Sequence, residues 1–293
     1  MKSSSQFFPV ALLSAEYKEG IYEDVYSLKP NNSEDTTVEI ALVRLHSEQD
    51  SLGHPLLMVH DAFSNHWQWL DYRVGGVAGA LVKAGYDVWL MDWRGHGLSA
   101  RNQRPTLNTL NNMAQFDLPP VIQFIEEKTA RSPTVVSQGY GCEIALQHAV
   151  VNQYQANLVL LDPLPLWPSR LFWIPGVKAW KRLCNVRRRW YRSERGEEVE
   201  PAALFRQLLR RQGVFGRWRA YDHELMKPRL KEHSAAMYWV MSADKPSHWL
   251  KRLDPVSTHL LLGAKARDWL ALIDRISATH SLKKPLPTGR VVR

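Results

Sequence analysis

Three short stretches of the chain bring together residue types that can do chemistry. The apolar run Leu56-Leu57-Met58-Val59 ends in His60-Asp61, an imidazole beside a carboxylate at a strand end. A carboxylate next to an apolar pocket can act as a general base, because loss of solvent raises its pKa. The pair also reads as purely local: His60 packed or hydrogen-bonded at the strand end, Asp61 solvated or capping a turn. The second stretch, Asp92-Trp93-Arg94-Gly95-His96-Gly97-Leu98-Ser99, is a glycine-rich turn in which His96 reads as a shaping residue. The third, Ser137-Gln138-Gly139-Tyr140-Gly141-Cys142, is rich in small residues. No CxxC pair or His/Cys cluster is present, so no metal or cofactor is expected.

These stretches sit at the ends of a regular alternation of elements. Ile21 to Leu28 and Thr37 to Leu45 read as an antiparallel opening pair. Pro55 to Val59, Asp87 to Met91, Thr134 to Val136 and Leu158 to Leu161 are short apolar strands. Between them, Val74 to Ala84, Leu118 to Lys128 and Gly141 to Val151 carry helical periodicity. Gly85 stops the first helix, and Pro119 and Pro120 fit only the opening turn of the second. Strand patterns resume at Met237 to Met241 and Thr258 to Leu262, with a last helix expected over Asp268 to Ile276. Short buried strands alternating with helices define an α/β protein whose mostly parallel central sheet is flanked by helices.

From Pro163 to about His233 the alternation breaks. This segment reads as helical and basic, and carries Trp167, Trp173, Trp180, Trp190 and Trp218. It holds the run Arg187-Arg188-Arg189, with Glu194, Glu197, Glu198 and Glu200 in opposition. It is an insertion between strands, so the chain divides into 1–162, 163–233 and 234–293. Leu204, Phe205, Leu208 and Leu209 alternate with Arg206, Arg210 and Arg211, an amphipathic stripe suited to packing on the core.

Composition excludes several classes. The 293 residues are 45% hydrophobic and 23% charged, values that rule out disordered and collagen-like chains. A formal net charge of +9 favours anionic partners. Cys142 and Cys184 cannot build a disulfide framework, and the stretch Phe7 to Leu13, broken by Pro9, is short for a signal segment. A soluble, cytoplasmic protein is expected, its basic segment able to lie against an anionic membrane surface. No motif supports sequence-specific nucleic-acid recognition.

Over residues 20 to 278 the chain resembles the α/β-hydrolase family. The resemblance is carried by LLMVHDAFSNHWQW and by LVKAGYDVWLMDWRGHGLSARN, in which Asp92, Arg94, Gly95, His96, Gly97 and Ser99 match the family's Asp-x-Arg-Gly-His-Gly-x-Ser turn. It implies an α/β-hydrolase fold of esterase or lipase type, with residues 163–233 as a helical lid. The family nucleophile stands in G-x-S-x-G, a sharp strand-to-helix turn. Aligning Ser137 and Gly141 with its small positions puts Gly139 in the nucleophile's place, with no side chain to attack a carbonyl. A competing register makes Ser137 the nucleophile, but sets Val135 and Tyr140 where small residues belong. The resemblance further implies oxyanion-hole N–H groups from Ala62 and Tyr140, with Asp61 replacing a family glycine in a pocket shared with His60 and Phe63. It puts the acid at Asp244, which reads equally as a capping residue. Where the base should follow the last strand, Gly263 to Asp268 has no histidine, leaving only His280 as a stand-in.

The leading expectation is therefore a degenerate hydrolase, a pseudoenzyme that binds an apolar acyl- or ester-like ligand, or a protein partner through the lid. One alternative is an active carboxylic-ester hydrolase using Ser137, Asp244 and His280. Another is an enzyme without a nucleophile, with Asp61 or His60 as base.

Overall fold

In a computed structural model the described residues are 5–30, 32–47, 53–70, 77–163, 174, 176–185, 189–194, 196–210, 217–233, 237–241 and 258–261. Nine strands form one sheet: β1 (Val10–Lys18), β2 (Ile21–Leu28), β3 (Ile40–His46), β4 (Pro55–Val59), β5 (Asp87–Met91), β6 (Thr134–Gln138), β7 (Leu158–Leu161), β10 (Met237–Met241) and β11 (Thr258–Leu261). Their spatial order is β1-β2-β3-β5-β4-β6-β7-β10-β11. The β1, β2, β3 and β5 contacts are antiparallel, and from β5 onward every pairing is parallel.

Both faces of the sheet are buried, and residue alternation assigns the side chains to them. Leu57, Val59, Trp89, Met91, Val135 and Leu160 enter one apolar cluster, whereas Leu56, Met58, Val88, Leu90, Val136 and Leu161 enter another. Successive side chains of a strand point to opposite faces, so strands covered on both sides read as continuous apolar runs. That is why these strands are visible in sequence. β1 was not anticipated: as an edge strand it leaves Leu12, Leu13 and Tyr17 exposed and lacks that signature.

Helices α1 (Val77–Lys83), α3 (Leu118–Thr129) and α4 (Gly141–Asn152) flank the sheet. Helix α2 (Leu110–Asn112) runs through a π turn, Met113–Asp117, into α3. The π turn delivers Asp117 to Arg94, and the two form a fully buried ion pair. Arg94 thereby ties the glycine-rich turn after β5 to the helix layer.

Between β7 and β10 the described residues hold α5 (Val177–Asn185), β8 (Trp190–Arg192), β9 (Val199–Pro201), α6 (Ala202–Arg210) and α7 (Met226–Glu232). The segment is thus not helical throughout: β8 and β9 pair as an antiparallel hairpin. Glu200 lies in β9 and Glu198 directly before it. Leu204 of the amphipathic stripe is fully buried, and Phe205 and Leu208 pack against the main apolar cluster. The expected helix Asp268 to Ile276 lies outside the described residues. No helix among those described is long and apolar enough to cross a membrane.

Candidate functional site

β4 and β6 are neighbours, so their carboxyl ends set the His60-Asp61 and Gln138-Gly139 stretches side by side. Crevices at such ends are where open α/β sheets bind ligands. Strand β6 runs through Gln138, further than the sequence indicates, and the sharp turn begins only at Gly139, whose φ is +54°. Gly141 opens α4 one residue after Tyr140. A Cβ there would come within 2.5 Å of the His60 carbonyl oxygen, so the helix can approach β4 only because this residue is glycine.

Gly139 therefore holds the apex of the turn. Ser137 lies inside the strand, fully buried, with its Oγ 3.4 Å from the Val159 carbonyl oxygen. That placement runs against Ser137 as nucleophile. A side chain at Gly139 would have to push the Asp61 carboxylate aside. A Cβ built there would overlap the carboxyl group of Asp61, every atom of which falls inside the 3.0 Å that real Cβ contacts keep.

The Asp61 carboxylate is firmly held. Its Oδ1 accepts from the Tyr140 amide at 2.7 Å and from the Ala62 amide at 2.7 Å. These are the two N–H groups that the resemblance implies for an oxyanion hole. Tyr140 also sits at the N-terminus of α4, where exposed amides and the helix dipole favour an anion. The aspartate that replaces the family glycine puts its own carboxylate in the oxyanion's place. Its backbone is fixed too: the Asp61 amide donates to Gln68 Oε1 at 3.2 Å, and Gln68 Nε2 donates to Gln138 Oε1 at 2.7 Å.

His60 is fully buried and stacked on Trp93. The Trp93 amide donates to its Nε2 at 3.1 Å, so Nδ1 carries the proton and donates to the Asp61 carbonyl at 2.7 Å. Burial brings its pKa down to about 4, keeping the ring neutral. With both nitrogens engaged, His60 is a structural link and not a base. Asp92 is the hub behind it. It accepts from the His66 amide at 2.6 Å, from His66 Nδ1 at 2.7 Å and from the Leu98 amide at 2.8 Å. Burial works to raise the Asp92 pKa, but the His66 hydrogen bonds and charge outweigh it and hold the carboxyl below its usual range.

The β8–β9 hairpin clamps this arrangement from above. Glu200, fully buried, accepts from the Phe63 amide at 2.7 Å and pairs with His96 Nε2 at 3.0 Å. Glu198 Oε1 accepts from Asn65 Nδ2 at 2.8 Å and from the Gly97 amide at 2.8 Å. Phe63 takes a left-handed φ of +63°, and the contact with Glu200 helps hold it there. Its ring stacks on Phe205, which also meets Tyr140 and Tyr191 edge-on, so an aromatic group lies beside Asp61. His96 is thus more than a turn-shaping residue. Burial opposes its protonation, yet the Glu200 carboxylate raises its pKa overall.

The structure thus brings together Gly139, Asp61, Ala62, Tyr140, Phe63 and His60. Asp244 and His280 lie outside the described residues. Sequence reasoning missed Glu198, Glu200, Gln68 and His66 as parts of the site. The available signal was the Glu-x-Glu spacing at Glu198 and Glu200, among the few acids of an arginine-rich segment.

Comparison with known proteins identifies the family and the fold. The profile of the Alpha/beta hydrolase family matches residues 56–289. The chain belongs to the alpha/beta hydrolase family. It is 37% identical over 82 residues to Lipase member N of Mus musculus, spanning 25% of this chain and 20% of that protein. Against Lipase member N of Homo sapiens it is 32% identical over 126 residues, 36% of this chain and 31% of the lipase. The chain therefore aligns with under a third of the length of these relatives. A candidate lipase from Sulfolobus solfataricus superposes with a TM-score of 0.60 at 13% identity, covering 94% of this chain and all of that one (100%). The thioesterase domain from the curacin biosynthetic pathway superposes with a TM-score of 0.53 at 18% identity, covering 92% and 98%. These likenesses concern the fold.

Proposed function

We propose that this chain has kept the α/β-hydrolase fold but lost serine-hydrolase chemistry, and that it acts as a binding protein, a pseudoenzyme. The Asp61 carboxylate on the Tyr140 and Ala62 amides carries this reading. Acyl transfer requires two N–H donors aimed at the oxygen that becomes negative in the transition state. Here a resident anion already takes both, and charge-assisted bonds of this kind are about twice as strong as neutral ones. Gly139 supplies no nucleophile, and the Asp61 carboxylate fills the space beside its Cα.

The ligand class is drawn from the aromatic group beside Asp61 and from the lineage. Phe63, Tyr140, Tyr191 and Phe205 offer apolar, aromatic surface suited to an acyl- or ester-like molecule, and the relatives are named as lipases. In this reading residues 163–233 act as the lid, and the protein works in the cytoplasm, where Cys142 remains a thiol.

The test pairs chemistry with binding. The purified chain is treated with a fluorophosphonate probe and with short and long acyl esters, and binding of a fluorescent fatty acyl ester is titrated in parallel. Saturable binding without labelling or turnover is expected. Labelling, or turnover abolished by Ser137→Ala, would end the proposal.

A further inference from the structure

Helix α5 turns its apolar side outward. Trp180 is 66% exposed and Leu183 is 78% exposed, and their three-residue spacing puts them on one helix face. Ile174 and Trp190, on either side of the helix in the chain, are also exposed. By contrast α6, next to which α5 packs, buries Leu204 completely. An amphipathic helix in water normally buries its apolar stripe, and a cluster of this kind marks an interaction surface.

Charge selects the partner. Residues 178 to 192 contain Lys178, Lys181, Arg182, Arg187, Arg188, Arg189 and Arg192 and no acidic residue, so this stretch holds +7 of the chain's formal +9. We infer that α5 docks on an anionic lipid surface, to which the basic residues of this part of the sequence draw it. Basic side chains gain from the negative surface potential of such a leaflet, while Trp and Leu enter the boundary between headgroups and acyl chains. A nucleic acid would satisfy the arginines but offers no apolar phase for Trp180 and Leu183. The inference does not depend on Asp61, Gly139 or the amides between them, although Trp190 and Arg192 belong to the hairpin above that site.

The test uses the full chain and vesicles of phosphatidylcholine, with or without phosphatidylglycerol, read by co-sedimentation. Binding to the anionic vesicles should exceed binding to neutral ones by roughly tenfold or more and should weaken with added salt. Trp180→Ser with Leu183→Ser should weaken anionic-vesicle binding by about tenfold while circular dichroism stays unchanged, because both side chains are already in water. Replacing Arg187, Arg188 and Arg189 together by Ala should produce a comparable loss. The inference fails if anionic vesicles are not bound, or if the Trp180/Leu183 variant binds them as well as the parent chain. Tighter retention on a short DNA duplex than on anionic vesicles would also overturn it.

Discussion

The carboxylate of Asp61 stands in the volume that a Cβ on Gly139 would need, while its Oδ1 receives the amides of Tyr140 and Ala62. The two positions are therefore coupled, since any side chain at one displaces the side chain at the other.

Gly139→Ala should be costly for two reasons: a left-handed φ and the collision with Asp61. Together these are expected to remove about 2–4 kcal/mol of stability in urea unfolding. In an Asp61→Gly background the collision is gone, and the same substitution should cost at least about 1 kcal/mol less. Equal losses in both backgrounds would separate the residues.

Asp61→Ala leaves the Tyr140 and Ala62 amides without their acceptor. A loss of roughly 1–3 kcal/mol is expected by chemical denaturation, with Asp61→Asn in between because its amide oxygen can still accept. Full stability in the alanine variant would show that the carboxylate is not anchored as described.

Acid should unfold this protein early. Burial brings both His60 and His148 down to about 4 from an ordinary 6.5. The unfolded chain thus takes up protons first as pH falls. Stability is whole above about pH 6.5 and drains away toward pH 4, by an amount on the order of 3 kcal/mol per histidine. Asp92, held low despite burial by His66, adds a loss at still lower pH. His96 runs the opposite way: raised by Glu200 against the pull of burial, it contributes most at low pH and least as pH climbs through its folded value. Urea midpoints measured from pH 8 to pH 4 should fall for the parent chain and fall less for His148→Gln.

Glu200→Ala should loosen the hairpin from the loop beneath it. The Phe63 amide and His96 both lose their partner, an expected cost of about 1–3 kcal/mol. Trypsin should then cut after Arg192 faster than in the parent chain, while an unchanged digestion rate would show that the hairpin does not depend on this contact.

Much of the scaffold was legible because its physics is local. β4, β5 and β7 match the expected spans to the residue, since strands buried on both faces show as unbroken apolar runs. Gly139 and Gly141 are placed in sequence only through the resemblance, by aligning the stretch with the family's nucleophile turn, with the Ser137 register left as the alternative. The role of Asp61 was not legible. Its type and position are visible, but the direction of its side chain depends on amides from two different loops. The hairpin was hidden for a similar reason: Trp190 to Arg192 is too short for periodicity to register, and Glu198 and Glu200 acquire meaning only across more than a hundred residues of chain, at His96 and Gly97.

Cys142 gives this fold an internal clock. Its thiol has no exposure, lies 3.2 Å from the Ser137 carbonyl oxygen, and is pushed toward the unreactive protonated form by burial. An alkylating reagent can reach it only when the start of α4 lifts from β6, which also takes apart the turn at Gly139. In a chain with Cys184 replaced by serine, the slow appearance of a single modified thiol would time how often the centre of the sheet breathes open, without any labelled ligand or substrate.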